Sequence, residues 1–248
     1  MASVQLPAQD FSDIAEVYER FATLTALSPE LGGSFLLYSE LDRGGIALAM
    51  VANIAGAASL GLEPDLARAK QSIRIGACDF LVNTLDEALR ILKNEIRKKK
   101  PVSVALVGDP GEAVAEIVER GVQPEFITER AAGIEPLVER GTRRLSSGLG
   151  QSGMVVTWGV AREPLQWLPA LDRLAAGALD PAASAARRRW IETSPRYLGR
   201  LMSGRRYLRM SAMEGVAFVS AVRREVESGG IRVAVTVVRD GVETVIGS

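Results

Sequence analysis

The sequence contains no histidine and only one cysteine among its 248 residues. The absence of histidine excludes a Ser-His triad, an imidazole base and histidine-ligated zinc. The single thiol, Cys78, excludes an internal disulfide and a thiolate metal cluster, so no metal site is predicted. The apolar residues around Cys78 favour a buried, inert thiol over a nucleophile. Catalysis, if there is any, would depend on Asp, Glu, Lys, Arg or Tyr side chains.

Long apolar runs are also absent. No stretch approaches the roughly 18 uncharged residues of a membrane span, and the first residues lack the basic and apolar regions of a signal peptide. We therefore expect a cytoplasmic protein without a membrane partner. A chain of 248 residues is long enough to form a large domain with an extensive core, without disulfide bonds.

The formal net charge is zero, but the charges are unevenly distributed. Residues 1–42 contain seven acidic residues and one arginine, whereas residues 187–209 contain eight arginines and one glutamate. Arginines interleaved with aromatics can bind phosphates and bases. We favour the alternative, in which their stems cover apolar helix faces and their charges pair with the acidic N-terminal third. Nucleic acid is therefore not an expected partner.

A strand, a glycine pair, a helix of small residues and a second strand follow one another near the start of the chain. Phe35–Tyr38 predicts a buried strand, Gly44 and Gly45 open the helix, and residues 57–62 predict a second strand that ends in Glu63. This order is typical of the first half of a dinucleotide-binding fold. Glu63 follows Gly44 by nineteen positions, close to the spacing of a ribose-binding carboxylate.

The glycine loop departs from the usual phosphate-binding pattern. Glu40 and Asp42 stand where a diphosphate would lie, and like charges about 4 Å apart repel by roughly 1 kcal/mol in water and more in a closed site. Asp42 could instead cap the following helix and favour its positive end. We favour the capping role over phosphate binding.

The rest of the first 140 residues continues to alternate strands and helices. Lys98–Lys100 closes one of these helices and is predicted to be a solvated helix end. The further strands are predicted near residues 78–82, 102–107 and 125–128. The alternation predicts an α/β fold with a Rossmann-like, mostly parallel sheet and helices on both faces.

The pattern changes beyond residue 140. We predict a strand at 154–159, helices over 163–178 and much of 195–228, and a terminal hairpin over 231–246 that turns at Asp240-Gly241. Residues 1–140 are thus expected to form the Rossmann half, and residues 141–248 the remainder of the same domain, with a C-terminal helical segment and hairpin.

Residues 13–137 resemble the NAD-binding domain of urocanase (urocanate hydratase). The resemblance rests on three runs, Ile54–Glu63, Leu85–Leu89 and Glu119–Glu125, and it covers about half of the chain. In that family NAD acts as an electrophile that adds to the imidazole of the substrate and enables its hydration. The resemblance implies cofactor-binding positions at Gly44, Gly45, Glu63, Arg68, Gly108 and Asp109.

Several departures from the family limit what the resemblance implies. Glu40–Ile46 replaces the family's glycine-rich loop, residues 129–134 replace a hydroxyl-rich run on the nicotinamide side, and Asp109 replaces an asparagine. Urocanases are about twice this long, and their catalytic core has no counterpart here. The resemblance therefore implies no catalytic residues and no urocanate hydration, and it implies that NAD or an adenine nucleotide would bind weakly or not at all.

Three functions remain open from the sequence. The first is a stand-alone, non-catalytic urocanase-like protein that binds a nucleotide or assists histidine degradation, as a homodimer or with a urocanase-type partner. The second is an enzyme, related to lyases and hydratases, that acts on another small substrate through Asp109, Arg130 or Tyr197. The third is an anion- or nucleic-acid-binding protein that uses residues 187–209.

Overall fold

The computed structural model describes residues 11–28, 30–128, 133–145, 153–183 and 185–247, without the side chains of residues 11–13, 183 and 200. The chain divides into two compact units, Glu19–Leu149 and Met1–Tyr18 with Gly150–Ser248. Helix α1 (Phe11–Leu27) supplies residues to both units. We call them the parallel-sheet unit and the antiparallel-sheet unit. The expectation that residues 1–140 and 141–248 form one domain stays a prediction.

The parallel-sheet unit alternates strands and helices along the chain. Its elements after α1 are β1 (Phe35–Ser39), α2 (Arg43–Ala55), β2 (Ala58–Glu63), α3 (Leu66–Arg74), β3 (Phe80–Val82), α4 (Leu85–Arg97), β4 (Val102–Val107), α5 (Pro110–Glu119), β5 (Phe126–Ile127), α6 (Glu135–Glu139) and β6 (Arg143–Arg144). The sheet order is β3-β4-β2-β1-β5-β6, and every pair is parallel. The predicted parallel sheet and its strands are confirmed.

The two faces of this sheet bury different kinds of side chain, because alternate residues of a strand point to opposite faces. Leu60 and Val104 belong to one face and pack in an apolar core with residues of α4, α5 and α6. On the other face, the hydroxyls of Ser59 and Ser103 lie 2.7 Å apart, and Ser103 Oγ donates to the Ala49 carbonyl of α2 at 3.1 Å. Helices therefore cover both faces, as predicted.

The antiparallel-sheet unit contains most of the C-terminal half. Its elements are β7 (Met154–Val160), α7 (Pro164–Ala178), α8 (Ala185–Leu198), β8 (Arg205–Met210), α9 (Ala212–Glu227), β9 (Val235–Arg239) and β10 (Val242–Ile246), with short 3-10 helices at Pro181–Ala183 and Gly199–Met202. The sheet order is β10-β9-β7-β8, with antiparallel pairs. The predicted hairpin is present, and Asp240 and Gly241 form its turn with φ of 44° and 82°.

The prediction of helix over much of 195–228 was wrong in the middle of that range. Residues 205–210 form strand β8, which pairs with β7, and α8 begins earlier than predicted, at Ala185. The strand was missed because a buried arginine breaks its apolar pattern. Arg206 is 7% exposed, and its Nε donates to Asp172 of α7 at 3.0 Å. Because Asp172 lies 34 residues before Arg206 in the chain, the residues around Arg206 do not indicate that its charge will be paired and buried.

A glycine allows the tightest packing within the parallel sheet. Gly61 of β2 lies opposite Tyr38 of β1, and a Cβ at Gly61 would stand 2.8 Å from the tyrosine ring. Tyr38 is fully buried, so the ring has little room to move aside. A glycine inside a strand usually weakens the strand, because it has no side chain to pack. In this structure, however, the missing side chain of Gly61 makes room for the Tyr38 ring.

We expect Gly61→Ala to lower the free energy of unfolding by about 1–3 kcal/mol, because overpacking forces the ring or the backbone to shift. Gly177→Ala is the matched control, since nothing lies within 4 Å of the Cβ it would add to helix α7. The control should be neutral or stabilising by up to about 1 kcal/mol. Urea unfolding followed by circular dichroism measures both, and equal effects would contradict the packing described.

Candidate functional site

The predicted cofactor-binding residues gather at the carboxyl edge of the parallel sheet. Ligands of open α/β sheets bind at this edge, where the strand order reverses, and here that point lies between β1 and β5. The loop from β1 to α2 contributes the glycine pair, and β2 ends in Glu63. The Gly108 N–H after β4 donates to the Glu63 carbonyl at 3.1 Å. The segments that contain the predicted cofactor-binding residues therefore meet at one edge, and their role in binding stays a prediction.

The Glu63 carboxylate is fully buried and is bonded to the protein on both oxygens. Its Oε2 accepts from the Leu41 N–H at 2.6 Å, and its Oε1 accepts from the Asp65 N–H at 2.7 Å. Arg68 Nη2 lies 3.0 Å from the same Oε1, and the arginine side chain is 43% exposed. Glu63 thus joins the loop before α2 to the turn before α3, in the position predicted for a ribose-binding carboxylate.

Two N–H groups in the first turn of α2, those of Gly45 and Ile46, are also bonded within the protein. Asp42 is the N-cap residue, and its Oδ1 accepts from the Gly45 N–H at 2.9 Å. The Asp42 carbonyl accepts from the Ile46 N–H at 2.9 Å, which is the first bond of the helix. In dinucleotide-binding folds, donors at this helix end face the diphosphate. The predicted capping role of Asp42 is therefore confirmed.

The backbone of Glu40 also forms close contacts within the loop between β1 and α2. Glu40 has a φ of 66°, an uncommon conformation for a residue other than glycine. Its N–H donates to the Leu62 carbonyl at 2.7 Å, and a Cβ at Gly45 would stand only 1.8 Å from the Glu40 carbonyl oxygen. Gly45 is needed for this close approach of one backbone to another. As folded, the loop uses the Gly45 N–H for its own helix cap, and the Glu40 carbonyl lies against this glycine.

The remaining predicted site residues lie on the surface of the edge. Gly108 and Asp109 are exposed, and Asp109 caps α5 by accepting from the Glu112 N–H at 2.9 Å. Of the residues considered for another enzyme activity, Asp109 thus has a structural role, and Arg130 lies outside the described residues. Tyr197 is half-buried in α8, with the guanidinium of Arg196 5.4 Å from the centre of its ring.

The single thiol lies in a buried polar layer beneath α2 and α3. Cys78 is 3% exposed, and burial raises the pKa of its thiol, which lowers its reactivity. Burial and the Cys78 thiol raise the pKa of the neighbouring Tyr38 hydroxyl. The expected inert thiol fits this environment. Among the described residues, no group of three or more acidic or cysteine side chains is placed to hold a metal, and no helix is both long and apolar enough to cross a membrane.

A second charged cluster, which the sequence did not reveal, lies in the antiparallel-sheet unit. The carboxylate of Glu214 on α9 accepts hydrogen bonds from Arg187 Nη1 at 2.7 Å and from Arg187 Nη2 at 2.8 Å. It also accepts from the backbone N–H of Asp180 at 2.8 Å and from that of Ser211 at 2.7 Å. Ser211 and Glu214 form a capping box, which the pattern Ser-x-x-Glu indicates. Arg187 and Arg206 thus pair with carboxylates of the C-terminal half, and the predicted pairing of this segment with the acidic N-terminal third stays a prediction.

The N-terminal helix contacts the arginine-rich segment through aromatic rings. The ring of Tyr18 on α1 lies 4.9 Å from that of Trp190 and 5.3 Å from that of Tyr207. Trp190 Nε1 also donates to the Tyr207 carbonyl at 2.7 Å. These rings are almost completely buried, so the two aromatic residues of the segment belong to a core. This is a structural role for Trp190 and Tyr207, and the expectation that nucleic acid is not a partner stays a prediction.

Replacing Glu63 with Gln should lower the free energy of unfolding by about 2–4 kcal/mol, because either orientation of the amide sets an NH₂ group against a backbone N–H. Asp65→Asn is the matched control. Asp65 is exposed and Asn caps helices equally well, so the control should stay within about 0.5 kcal/mol. Urea unfolding followed by circular dichroism measures both. A Gln variant as stable as the control would show that the carboxylate does not hold the loop.

The stability of the antiparallel-sheet unit should depend on the ionisation of Glu214. Burial opposes its ionisation, but Arg187 and the N–H groups of Asp180 and Ser211 outweigh burial and lower its pKa to about 2 from the usual 4.5. Because this pKa is depressed in the folded state, the stabilisation is complete above about pH 5 and is lost as the pH falls towards 2.

We therefore expect wild type to lose roughly 2 kcal/mol more stability than Glu214→Gln between pH 6 and pH 2. The variant should be less stable at pH 6, because Arg187 loses its partner. Urea unfolding followed by tryptophan fluorescence measures the difference, since the buried Trp158 and Trp190 lie in this unit. Parallel pH profiles for the two proteins would contradict the assignment.

One comparison with known proteins gives the family. The family model described as the urocanase Rossmann-like domain matches residues 15–138, which is half of the chain. The match includes the β1–α2 loop, Glu63 and Arg68, and the turn at Gly108 and Asp109. It agrees with the order of strands and helices in the parallel-sheet unit. The chain therefore belongs to the family of the urocanase Rossmann-like domain.

Proposed function

We propose that this chain is a non-catalytic urocanase-like Rossmann protein that acts as an accessory or binding protein and does not hydrate urocanate. One observation carries the proposal. The Gly45 N–H at the start of α2 already donates to Asp42, and the Glu63 carboxylate is already bonded to Leu41, Asp65 and Arg68. A cofactor would have to displace these internal bonds before making its own.

The Glu63 bonds argue against a ribose at this position. A ribose hydroxyl would need to reach a carboxylate oxygen, but the Glu63 carboxylate is fully buried and its oxygens accept backbone N–H groups at 2.6–2.7 Å. Uncovering it would move the groups around it, and each N–H of Leu41 or Asp65 that lost its bond while staying buried would cost about 1–3 kcal/mol. Any contact with an adenosine would depend mainly on the exposed Arg68.

The charge of the loop argues against a diphosphate. Asp42 places a carboxylate at the N-terminus of α2, and Glu40 stands two residues before it. Each carboxylate disfavours a phosphate by about 1 kcal/mol or more. The two effects act on the same ligand, so NAD or an adenine nucleotide should bind weakly or not at all.

The family match suggests where such a protein would act. We place it in histidine degradation, in the cytoplasm, as a homodimer or beside a urocanase-type partner. An enzyme acting on another small substrate has less support, because Asp109 is used as a helix cap. Copurification of a urocanase-type enzyme with the tagged 248-residue chain would support this placement, and a mass of two chains by light scattering would favour the homodimer.

Calorimetry with NAD tests the closed loop. We expect wild type to bind NAD with a dissociation constant above about 1 mM. The double variant Glu40→Gly, Asp42→Gly should bind NAD at least about tenfold more tightly, which corresponds to about 1.4 kcal/mol of binding free energy. Glycine suits the positive φ at position 40, and a glycine N-cap costs the helix only a few tenths of a kcal/mol relative to Asp.

The control is Glu40→Gln with Asp42→Asn, which removes both charges but keeps an amide oxygen to accept the Gly45 N–H. If occupied N–H groups close the site, the control should gain less affinity than the glycine variant. Loss of urocanate ultraviolet absorbance in the presence of NAD reports hydratase activity directly. Micromolar binding of NAD by wild type, or turnover of urocanate, would overturn the proposal.

A further inference from the structure

Four strands form the outer edges of the two sheets, and three of these edges are poorly suited to pairing with another chain. Strand β3 has only three residues, and β6 consists of two arginines. Strand β8 contains three arginines, and its Tyr207 carbonyl accepts Trp190 Nε1 at 2.7 Å. Short length, charged side chains and a covering helix are common devices that prevent edge strands from pairing. The fourth edge, β10, is built differently.

Strand β10 is a regular strand of five residues with exposed apolar side chains. Four of the five are Val, Thr or Ile, which favour strands, and the other is Glu243. Val242 is 66% exposed and Val245 is 57% exposed. The strand contains neither a proline nor a positive charge, which are frequent at protected edges. An edge of this kind is a template for another strand.

We propose that β10 pairs with β10 of a second copy of this chain, in antiparallel orientation and with Thr244 on the two-fold axis. The four-stranded sheets of the two copies then form one continuous sheet. The proposal rests on the homodimer proposed above and supplies its surface. It does not depend on the glycine loop, so a failure of this pairing would leave the tests of NAD binding unaffected.

The backbone of β10 has hydrogen-bonding groups on its free side. In a hairpin with a two-residue turn, the residues that flank the turn form a hydrogen-bonded pair, and such pairs alternate along the strands. Arg239 and Val242 flank the turn here, so every second residue from Val242 onwards bonds to β9. The N–H and C=O groups of Glu243 and Val245 therefore point away from β9. Within the part of the chain that the structure describes, no other strand lies on that side.

One register uses all of these backbone groups. With Thr244 on the two-fold axis, Glu243 lies opposite Val245 of the second copy, and Val245 lies opposite Glu243 of the second copy. Each of these two pairs exchanges two hydrogen bonds, which gives four between the chains. An axis at Glu243 or at Val245 would leave only one such pair within the two strands.

The charge of β10 favours the same register. Like charges directly opposite each other destabilise a pair of strands. An axis at Glu243 would set the two Glu243 carboxylates opposite each other, whereas the axis at Thr244 sets each of them opposite a valine. The two carboxylates are then diagonal neighbours on strands whose residues lie roughly 7–8 Å apart, where water and salt weaken their repulsion.

The remaining side chains of β10 are also paired in this register. Val242 lies opposite Ile246 of the second copy, so the exposed valine gains an apolar neighbour. Thr244 lies opposite Thr244 of the second copy at the axis. Pairs of β-branched residues and pairs of threonines both stabilise neighbouring strands. Each residue of β10 therefore has a suitable partner in a second copy of the same strand.

The size of the contact predicts a reversible dimer. Stable interfaces bury about 1,200–2,000 Å² in total, and two strands of five residues contribute less than this. We expect a dissociation constant on the order of 10–100 μM. Both copies use the same surface, so the pair is closed and should not grow into larger assemblies.

Sedimentation equilibrium of the 248-residue chain at about 5–500 μM tests the pairing. The average mass should rise from 26.6 kDa towards twice that value and no further. A wild type that remains a single chain at about 500 μM would overturn the proposal. Growth beyond two chains would contradict the closed pair.

Opposite charges at position 244 test the register. Thr244→Lys and Thr244→Glu each set like charges opposite each other at the axis, so each variant alone should dimerise at least about tenfold more weakly than wild type. An equal mixture should form dimers of one chain of each kind, because the new charges then attract. Gln71→Lys and Gln71→Glu are the matched controls, since Gln71 is exposed on α3 of the parallel-sheet unit. Both should dimerise like wild type.

A proline tests the hydrogen bonds without a change of charge. The Val245 N–H points away from β9, so Val245→Pro should keep the hairpin and remove two donors from the dimer. We expect at least about tenfold weaker dimerisation and the circular dichroism spectrum of wild type.

The Thr244 variants decide the result even if Val245→Pro fails to fold. Dimers of wild-type strength in each Thr244 variant alone would place the interface elsewhere and overturn the proposal. A mixture of the two variants that stays monomeric would overturn the register. Weak dimers of each variant alone, strong dimers of the mixture and unchanged Gln71 controls would support the pairing of β10 with a second copy.

Discussion

The carboxyl edge of the parallel sheet depends on one buried charge, the Glu63 carboxylate. A charge without exposed surface must be compensated by hydrogen bonds and an opposite charge. Here the N–H groups of Leu41 and Asp65 and the Arg68 guanidinium supply them. Because Leu41 belongs to the β1–α2 loop, its bond to Glu63 helps to set the path of that loop. The backbone of Glu40 is consequently pressed against the start of α2.

The carboxyl edge contains residue types that are typical of nucleotide-binding edges, and the protein uses them in its own hydrogen bonds. A carboxylate at the end of β2, donors at the start of α2 and a glycine pair are all present. The carboxylate stabilises two turns, and the Gly45 N–H takes part in a helix cap. The antiparallel-sheet unit uses the same chemistry, since Glu214 also collects backbone N–H groups and an arginine.

The sequence predicted the parallel sheet well, because its strands are continuous apolar runs and its helices begin at recognisable caps. The site residues that it named follow the predicted strands β1, β2 and β4, and the carboxyl ends of parallel strands meet at one edge of a sheet. The sequence could not give the direction of the Glu63 side chain. The sequence pattern shows where a strand ends, but it does not show which backbone N–H groups will lie within hydrogen-bond distance of the carboxylate. Strand β8 and the pairing of Arg187 with Glu214 were missed for a similar reason. Both depend on partners distant along the chain.

Gly45 has a consequence for how such chains are recognised. Its hydrogen side chain is required because any Cβ would collide with the Glu40 carbonyl oxygen, whether or not a phosphate ever binds. Substitutions here would be eliminated through misfolding even in a chain under no selection for a coenzyme. A search for glycine fingerprints would therefore select such a chain together with coenzyme-dependent proteins. A glycine at this position reports the packing of two backbones and is not by itself evidence of a coenzyme.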